Sequence, residues 1–282
     1  MKEGTVESEN RVIMHLKRWI TFLVALPVLV FIIYEGGVVF ASVIIAVSFL
    51  SLWEYFRIVL DADESPLTSI PLLAFITAPA IIWTGYAKAF DMVLGIIVLN
   101  LIVSGLISIF RFKHKPRTLE TVKNQLQGII YIPLFLLFLV LIRNGASGML
   151  WLALLLCVIF AGDTSAYYVG SQLGRRKLAA AISPGKTMEG AIGGLAANLV
   201  IGLLFKLIFL PALPWAASII FFLTVGIAGQ AGDLFESELK RVSKKKDSGG
   251  LLPGHGGFLD RIDALLFAAP VAYFFKVYVF QA

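Results

Sequence analysis

Charge is what this chain has least of. Of its 282 residues only 15% are Asp, Glu, Lys or Arg, against 59% hydrophobic, and the mean hydropathy is +0.88. A soluble domain carries about a quarter charged residues, so this apolar surplus excludes a single water-soluble core. Long polar segments are also missing, which excludes a separate soluble domain. Cysteine is reduced to Cys157, inside an apolar run. A lone cysteine cannot form an intrachain disulfide and offers no metal-site spacing; a small buried apolar residue is its expected role. Internal repeats, heptad seams and low-complexity tracts are absent as well.

What the chain does contain is a succession of apolar stretches. A membrane-crossing helix needs about 20 mostly apolar residues. Nine stretches approach that, at roughly 18–35, 37–58, 67–87, 91–110, 126–143, 148–170, 188–210, 214–234 and 261–281. Lys17 and Arg18 precede the first, but no small-x-small cleavage site follows, so it reads as an uncleaved span rather than a leader. The expected fold is an all-α integral membrane protein of about nine transmembrane helices, one polytopic domain over 1–282. Residues 1–16 form a polar cytoplasmic tail.

Placing the N-terminus inside puts 20 of the 24 Lys and Arg residues in cytoplasmic segments. Only Lys88, Arg143, Lys206 and Lys276 fall at outer ends, and Lys206 and Lys276 are expected to snorkel there. A split this uneven obeys the positive-inside rule and places the C-terminus outside. It also accounts for the formal charge of +6 without a nucleic-acid partner. The basic stretch 111–125 reads as a topology anchor that touches anionic head groups.

Ionisable groups near membrane depth are costly and mark function by default. Asp163 lies toward the inner end of the sixth span and Asp233 closes the eighth. Asp260 and Asp263 open the ninth, three residues apart and so on one helical face. Four carboxylates thus meet near one depth, at the cytoplasmic interface. A helix C-terminus disfavours negative charge, so Asp163 and Asp233 call for a cation. Hard oxygen donors beside water suit magnesium, which takes one or two carboxylates plus phosphate oxygens.

Donors for phosphate surround these acids. Ser237, Lys240 and Arg241 line a helical face beyond Asp233. Lys244, Lys245, Lys246 and Asp247 follow, then a glycine-rich run with His255, Gly256 and Gly257 that permits close backbone approach to a ligand. A second polar segment, 171–190, lies on the same side. There Ser183 and Pro184 read as a helix N-cap and first position, which puts Lys186 and Thr187 in the first turn, a natural anion site. The string Gly185-Lys186-Thr187 is not a nucleotide P-loop, because Ala180 stands where that motif needs glycine and no strand precedes it.

The run Ser237-x-Leu239-Lys240-Arg241, four residues, Lys246-Asp247-x-Gly249, then Leu252-Pro253-Gly254-His255-Gly256-Gly257-Phe258-x-Asp260-Arg261-Ile262-Asp263 resembles the complete signature of the phosphatidate cytidylyltransferase (CDP-diacylglycerol synthase) family. It fixes more than a dozen positions across 27 residues. Asp163 with Ala166-Tyr167, and Ser183-Pro184-x-Lys186-Thr187-x-Glu189-Gly190, match the family's upstream pattern. Met188 departs from it, where an aromatic residue is common. The resemblance covers roughly 160–270, a catalytic region with cytoplasmic loops 171–187 and 235–260. It implies condensation of CTP with phosphatidic acid to CDP-diacylglycerol and pyrophosphate, with magnesium. A further monovalent cation and a homodimer remain open under it. It also implies an inner (cytoplasmic) membrane location, with the site facing the cytoplasm.

The expected roles follow from both readings together. Asp233 and Asp260 are the preferred metal ligands, supported by Asp163 and Asp263. Lys240, Arg241, Lys246 and Arg261 bind phosphates, and Ser183, Lys186 and Thr187 make a second phosphate contact. Ser237, Asp247, His255, Gly256 and Gly257 complete the substrate-binding set. Two rivals stand beside this reading: a cytidylyltransferase for another lipid phosphate, and an ion-coupled transporter. Transporter sites usually lie near the bilayer midplane, whereas the charges here gather at one interface.

Overall fold

The computed structural model describes residues 27–60, 65–243 and 257–282. The polar tail, the start of the first span, and the segment with Lys246, Asp247, His255 and Gly256 lie outside the described residues.

Helix dominates because the apolar runs hydrogen-bond their own backbones and bury or face lipid on every side. After helical residues 27–35 (α1) come α2 (Gly37–Val59), α3 (Ser69–Tyr86), α4 (Phe90–Arg111) and α5 (Thr118–Ile129). A π-helical turn, Ile130–Leu134, joins α5 to α6 (Phe135–Asn144). It falls at Pro133, whose ring and missing N–H disturb the α ladder. Next come α7 (Gly148–Leu173), strands β1 (Lys177–Ala179) and β2 (Ser183–Thr187), α8 (Met188–Phe209) and α9 (Trp215–Val242). A 3₁₀ turn, Leu259–Arg261, leads into α10 (Asp263–Phe274), which ends in a π turn, Phe275–Val279.

Seven helices among the described residues are long and apolar enough to cross a membrane, taking Thr118–Asn144 as one. The chain is therefore a multi-pass helical membrane protein. The expected nine is reduced by α1, which is described only in part, and by α10, whose regular helix is 12 residues. Three boundaries also differ. The fifth span begins at Thr118, inside the stretch expected as a basic loop. α9 runs to Val242, so the expected loop 235–260 starts as helix. The segment 171–187 holds a small antiparallel hairpin, a β exception to the all-α expectation.

The core lies where α2, α3, α6, α7, α9 and α10 meet, around Tyr55, Phe56, Leu137, Leu155, Phe222 and Leu266. Tyr131 stacks edge-on against Phe235 and Phe267, which ties the π turn to the C-terminal pair. Polar glue joins the early helices: the buried Gln125 amide donates to Asn100, 2.7 Å away. Such bonds between helices are worth about 1 kcal/mol in lipid. At the end away from the hairpin, Lys206 donates to the Pro211 carbonyl at 3.2 Å and Lys276 to that of Ile142 at 3.2 Å. Both are buried rather than snorkelling, since the helix-end carbonyls need donors. Arg143 caps α1 in the same way, through Ile33 and Tyr34. Cys157 is exposed on the outer face of α7, not buried.

Candidate active site

The C-terminal ends of α7 and α9 and the N-terminal ends of α8 and α10 share one end of the bundle. Between them lies a cavity of about 450 Å³. Its wall includes Asp163, Asp233, Asp260 and Asp263, together with Ser183, Lys186 and Thr187. The two acidic groups and the hairpin segment, far apart in sequence, meet there.

Helix packing sets the positions of the acids. α7 and α8 touch through glycines: an added Cβ on Gly190 would stand 2.7 Å from the Ala166 carbonyl oxygen and 3.1 Å from Gly170 Cα. Small residues of this kind let membrane helices approach closely. Gly232 does the same for α9 against α10, where a Cβ would collide with the Asp263 carbonyl oxygen. Gly232→Ala should push the helices apart at the cavity wall, destabilise by about 1–3 kcal/mol, and cut activity more than about tenfold, because misplacement by 1 Å can cost 10²-fold. Melting in detergent and turnover measure the two effects.

Asp163 and Asp233 were expected at helix ends. They sit inside helices instead, ten and nine residues before Leu173 and Val242, roughly 15 and 13 Å at 1.5 Å per residue. Both helices continue past the apolar stretch, so the end charges fall beyond the acids. Asp233 has its cation in Lys186, whose Nζ lies 2.7 Å from Oδ2. That contact is an ion pair by distance without hydrogen-bond alignment, since the buried Nζ makes no aligned hydrogen bond among the described residues.

Lys186 comes from the hairpin. Ser183 and Pro184 do not start a helix, contrary to expectation; they lie in β2, paired Lys177 to Thr187 and Ala179 to Ser183. Proline is tolerated there because a two-stranded hairpin has only edge strands. Thr187 becomes the N-cap of α8, its hydroxyl oxygen accepting from the Gly190 N–H at 3.1 Å. Glu189 closes the hairpin base by accepting the Arg175 and Arg176 N–H groups at 3.0 and 3.1 Å. The tip is tethered by Arg241, which donates to the Ile182 carbonyl at 2.9 Å.

Asp260 does not cap a helix directly; it sits in the 3₁₀ turn. Its Oδ1 accepts from Lys240 at 2.8 Å and its Oδ2 from the Gly257 N–H at 3.0 Å. Lys240 also meets Glu236, at 2.5 Å. Burial alone would raise the Asp260 pKa, but hydrogen bonds from Glu236, Lys240 and Gly257 and the Lys240 charge win, holding it at about 2. A carboxyl lowered in the folded state stabilises above its ordinary value, 3.8 here. That contribution is lost as pH falls through about 2, so Asp260 stays ionised at neutral pH. Asp263 starts α10, its Oδ1 accepting the Ala264 N–H at 2.8 Å.

Of the residues expected to bind phosphate, Lys240 and Arg241 point to Asp260 and Ile182, beside the cavity rather than on its wall. Ser237 is half-buried, Gly257 buried and Arg261 exposed, and none of the three lines the cavity. Sequence reasoning missed Glu236, Gln230 and Glu54. Glu236 falls three residues past Asp233 on one helical face, a detectable signal. Gln230 lines the cavity and donates to the Ala191 carbonyl at 3.0 Å, joining α9 to α8. Among the described residues, no three His, Cys, Asp or Glu side chains are gathered closely enough to form a ready metal cage.

Residues 16–279 match the model of the "Cytidylyltransferase family". A phosphatidate cytidylyltransferase of Bacillus subtilis is 43% identical over 51% of this chain and 54% of its own length. The chain thus spans about half the length of that curated relative. One of Thermotoga maritima is 38% identical over 63% of this chain and 68% of its own. One of Synechocystis is 30% identical over 86% of this chain and 89% of its own. With its four aspartates and its hairpin lysine meeting at one cavity, and with residues 16–279 matching that model, this chain belongs to the cytidylyltransferase family.

Proposed function

We propose that this protein transfers the cytidylyl group of CTP to phosphatidic acid, giving CDP-diacylglycerol and pyrophosphate, at the cytoplasmic face of a bacterial inner membrane. One observation carries the reading: four aspartates and a lysine from four separate segments line a cavity at a helix-bundle end. The relatives named phosphatidate cytidylyltransferase support the substrates.

The rim of the cavity fits a substrate that is half lipid. Tyr167 lines the cavity and is 71% exposed, and Tyr168, Met188 and Ile192 are exposed beside it on α7 and α8. A lipid can leave its tails among these side chains while its phosphate enters between Lys186 and the N-terminus of α8. That helix end carries a partial positive charge and favours an anion. Orientation rests on basic residues. Arg57, Arg111, Lys113, Lys115, Arg117, Lys123, Arg175, Arg176 and Lys177 lie at the cavity end, and Lys88, Arg143, Lys206 and Lys276 at the other. By the positive-inside rule this distribution supports a cytoplasmic cavity end, where CTP is available.

The donor chemistry suits magnesium. Hard carboxylates beside water are its usual ligands, and one or two suffice when substrate phosphates supply the rest, so the lack of a ready cage among the described residues is no obstacle. Asp233 and Asp260 would hold it, with Asp163 and Asp263 in support. Bound there, the ion would neutralise charge on the nucleotide phosphates. Lys186, now paired with Asp233, can turn to an incoming phosphate once another cation meets that carboxylate. Lys240 keeps Asp260 ionised and fixed. The phosphatidate oxygen then attacks the α-phosphorus of CTP in line and pyrophosphate leaves, with positioning and charge neutralisation as the chain's contribution.

A substrate panel tests the reading. Purified protein with CTP and magnesium should release pyrophosphate with phosphatidic acid in mixed micelles, and far less with an isoprenoid phosphate. Release that favours the isoprenoid phosphate transfers the reading to that lipid. No lipid-dependent release at all contradicts it.

A further inference from the structure

Among the described residues, Glu54 is the one acid of the early spans that is fully buried, at 0% exposure within the apolar helix α2. Carboxylates in such places are costly and mark function by default. Its Oε2 accepts the Leu259 N–H at 2.7 Å. Its Oε1 has no hydrogen-bond partner among the described residues. Leu259 opens the 3₁₀ turn that carries Asp260, and that turn leads directly into Asp263. Leu259 is itself 0% exposed, so no water competes for its N–H.

α2 is a firm support for this contact. The Tyr55 hydroxyl, one residue on, donates to the Asn124 carbonyl at 2.9 Å, and the Asn124 amide returns a bond to the Val59 carbonyl at 3.1 Å. α2 is thereby fixed to α5. Lys240 and the Gly257 N–H also hold the turn, by the Asp260 side chain rather than its backbone. The Glu54 bond holds the backbone itself at Leu259, from α2.

We propose that Glu54 is a positioning residue: from the N-terminal half, it sets the height of the Leu259–Asp263 backbone and so the placement of Asp260 and Asp263 at the cavity. It touches no substrate and acts through the Leu259 N–H. The activity part of the test rests on the nucleotidyl-transfer reading; the exchange part does not.

The experiment compares Glu54→Gln, which keeps an oxygen acceptor, with Glu54→Leu, which keeps bulk and removes it. Hydrogen–deuterium exchange in detergent should be accelerated in peptides covering 257–264 of Glu54→Leu and stay at the wild-type rate in Glu54→Gln. Turnover of Glu54→Leu should drop roughly 10–100-fold, the usual cost of losing an orienting partner, with the KM for CTP within about threefold, as expected when only transition-state alignment suffers. Glu54→Gln should stay within about threefold of wild type. If Glu54→Leu fails to extract as folded protein, Glu54→Asp, one methylene short of Leu259, takes its place with the same expectations. Unchanged exchange at 257–264, or equal losses in Glu54→Gln and the acceptor-removing variant, overturns the proposal. Local exchange faster as expected but no activity in wild type would fault the nucleotidyl-transfer reading instead.

Discussion

Asp233→Asn should abolish turnover, on the order of 10³-fold or more, the scale of removing a main electrostatic contributor to a transition state, in a protein that extracts and melts like wild type. Asp233 reaches the cavity from within α9, its side chain 38% exposed. The amide has the same volume and the site stays open to water, so packing and helix geometry are kept. What is lost is a negative charge, with Lys186 left 2.7 Å from a neutral group. The Lys186 Nζ is buried, but its side chain is 26% exposed and lines the same cavity as Asp163, Asp260 and Asp263, so it can turn toward water or those carboxylates. The effect should lie in kcat, since CTP keeps its other contacts. Steady-state kinetics with a melting curve separates this from unfolding. A parallel Asp163→Asn should retain more activity, if Asp163 only supports the preferred pair.

Lys240→Met should be the most damaging change to both stability and activity outside the cavity wall. One ammonium serves two acids, Glu236 at 2.5 Å and Asp260 at 2.8 Å. Glu236 is 1% exposed there. Removing the cation leaves carboxyls facing each other without compensation, and breaking a buried pair costs about 3–5 kcal/mol. Asp260 would also lose a partner that holds its side chain in place, and turnover should fall about 10²-fold. The double variant Lys240→Met with Glu236→Gln should regain part of the stability, because the amide N–H can donate to Asp260 in place of the lost ammonium. It should regain less of the activity, because a neutral amide holds Asp260 less firmly than the ammonium. Additive losses in the double variant would show that the two residues do not act as a unit.

Much of the site could be read from residue order, for a definite reason. Carboxylates in or beside apolar runs are rare and costly, so Asp163, Asp233, Asp260 and Asp263 announced themselves, and alternating spans put them at one end. Three things stayed hidden because they depend on contacts distant in sequence. Ser183-Pro184 carries the local signature of a helix start, yet Glu189 and Arg241 hold that segment as a strand. Lys240 and Arg241 look like phosphate donors in a basic run, but Glu236, Asp260 and the Ile182 carbonyl engage them. Glu54 stands near Arg57 at the end of a span, where an acid reads as interfacial; only the packing of the Leu259 turn against α2 reveals its burial. Seven of the nine expected spans are long and apolar enough among the described residues; of the other two, α1 is described only in part and α10 gives way to a π turn at Phe275–Val279.

The central claim is that CTP and phosphatidic acid react at the aspartate-lined cavity. Its most direct test follows CTP labelled at the α-phosphate, incubated with purified protein, phosphatidic acid and magnesium. The label should move into the organic-soluble lipid with wild type, require both phosphatidic acid and the metal, and stay aqueous with Asp233→Asn. Label that stays aqueous with wild type, or reaches lipid equally well with Asp233→Asn, contradicts it.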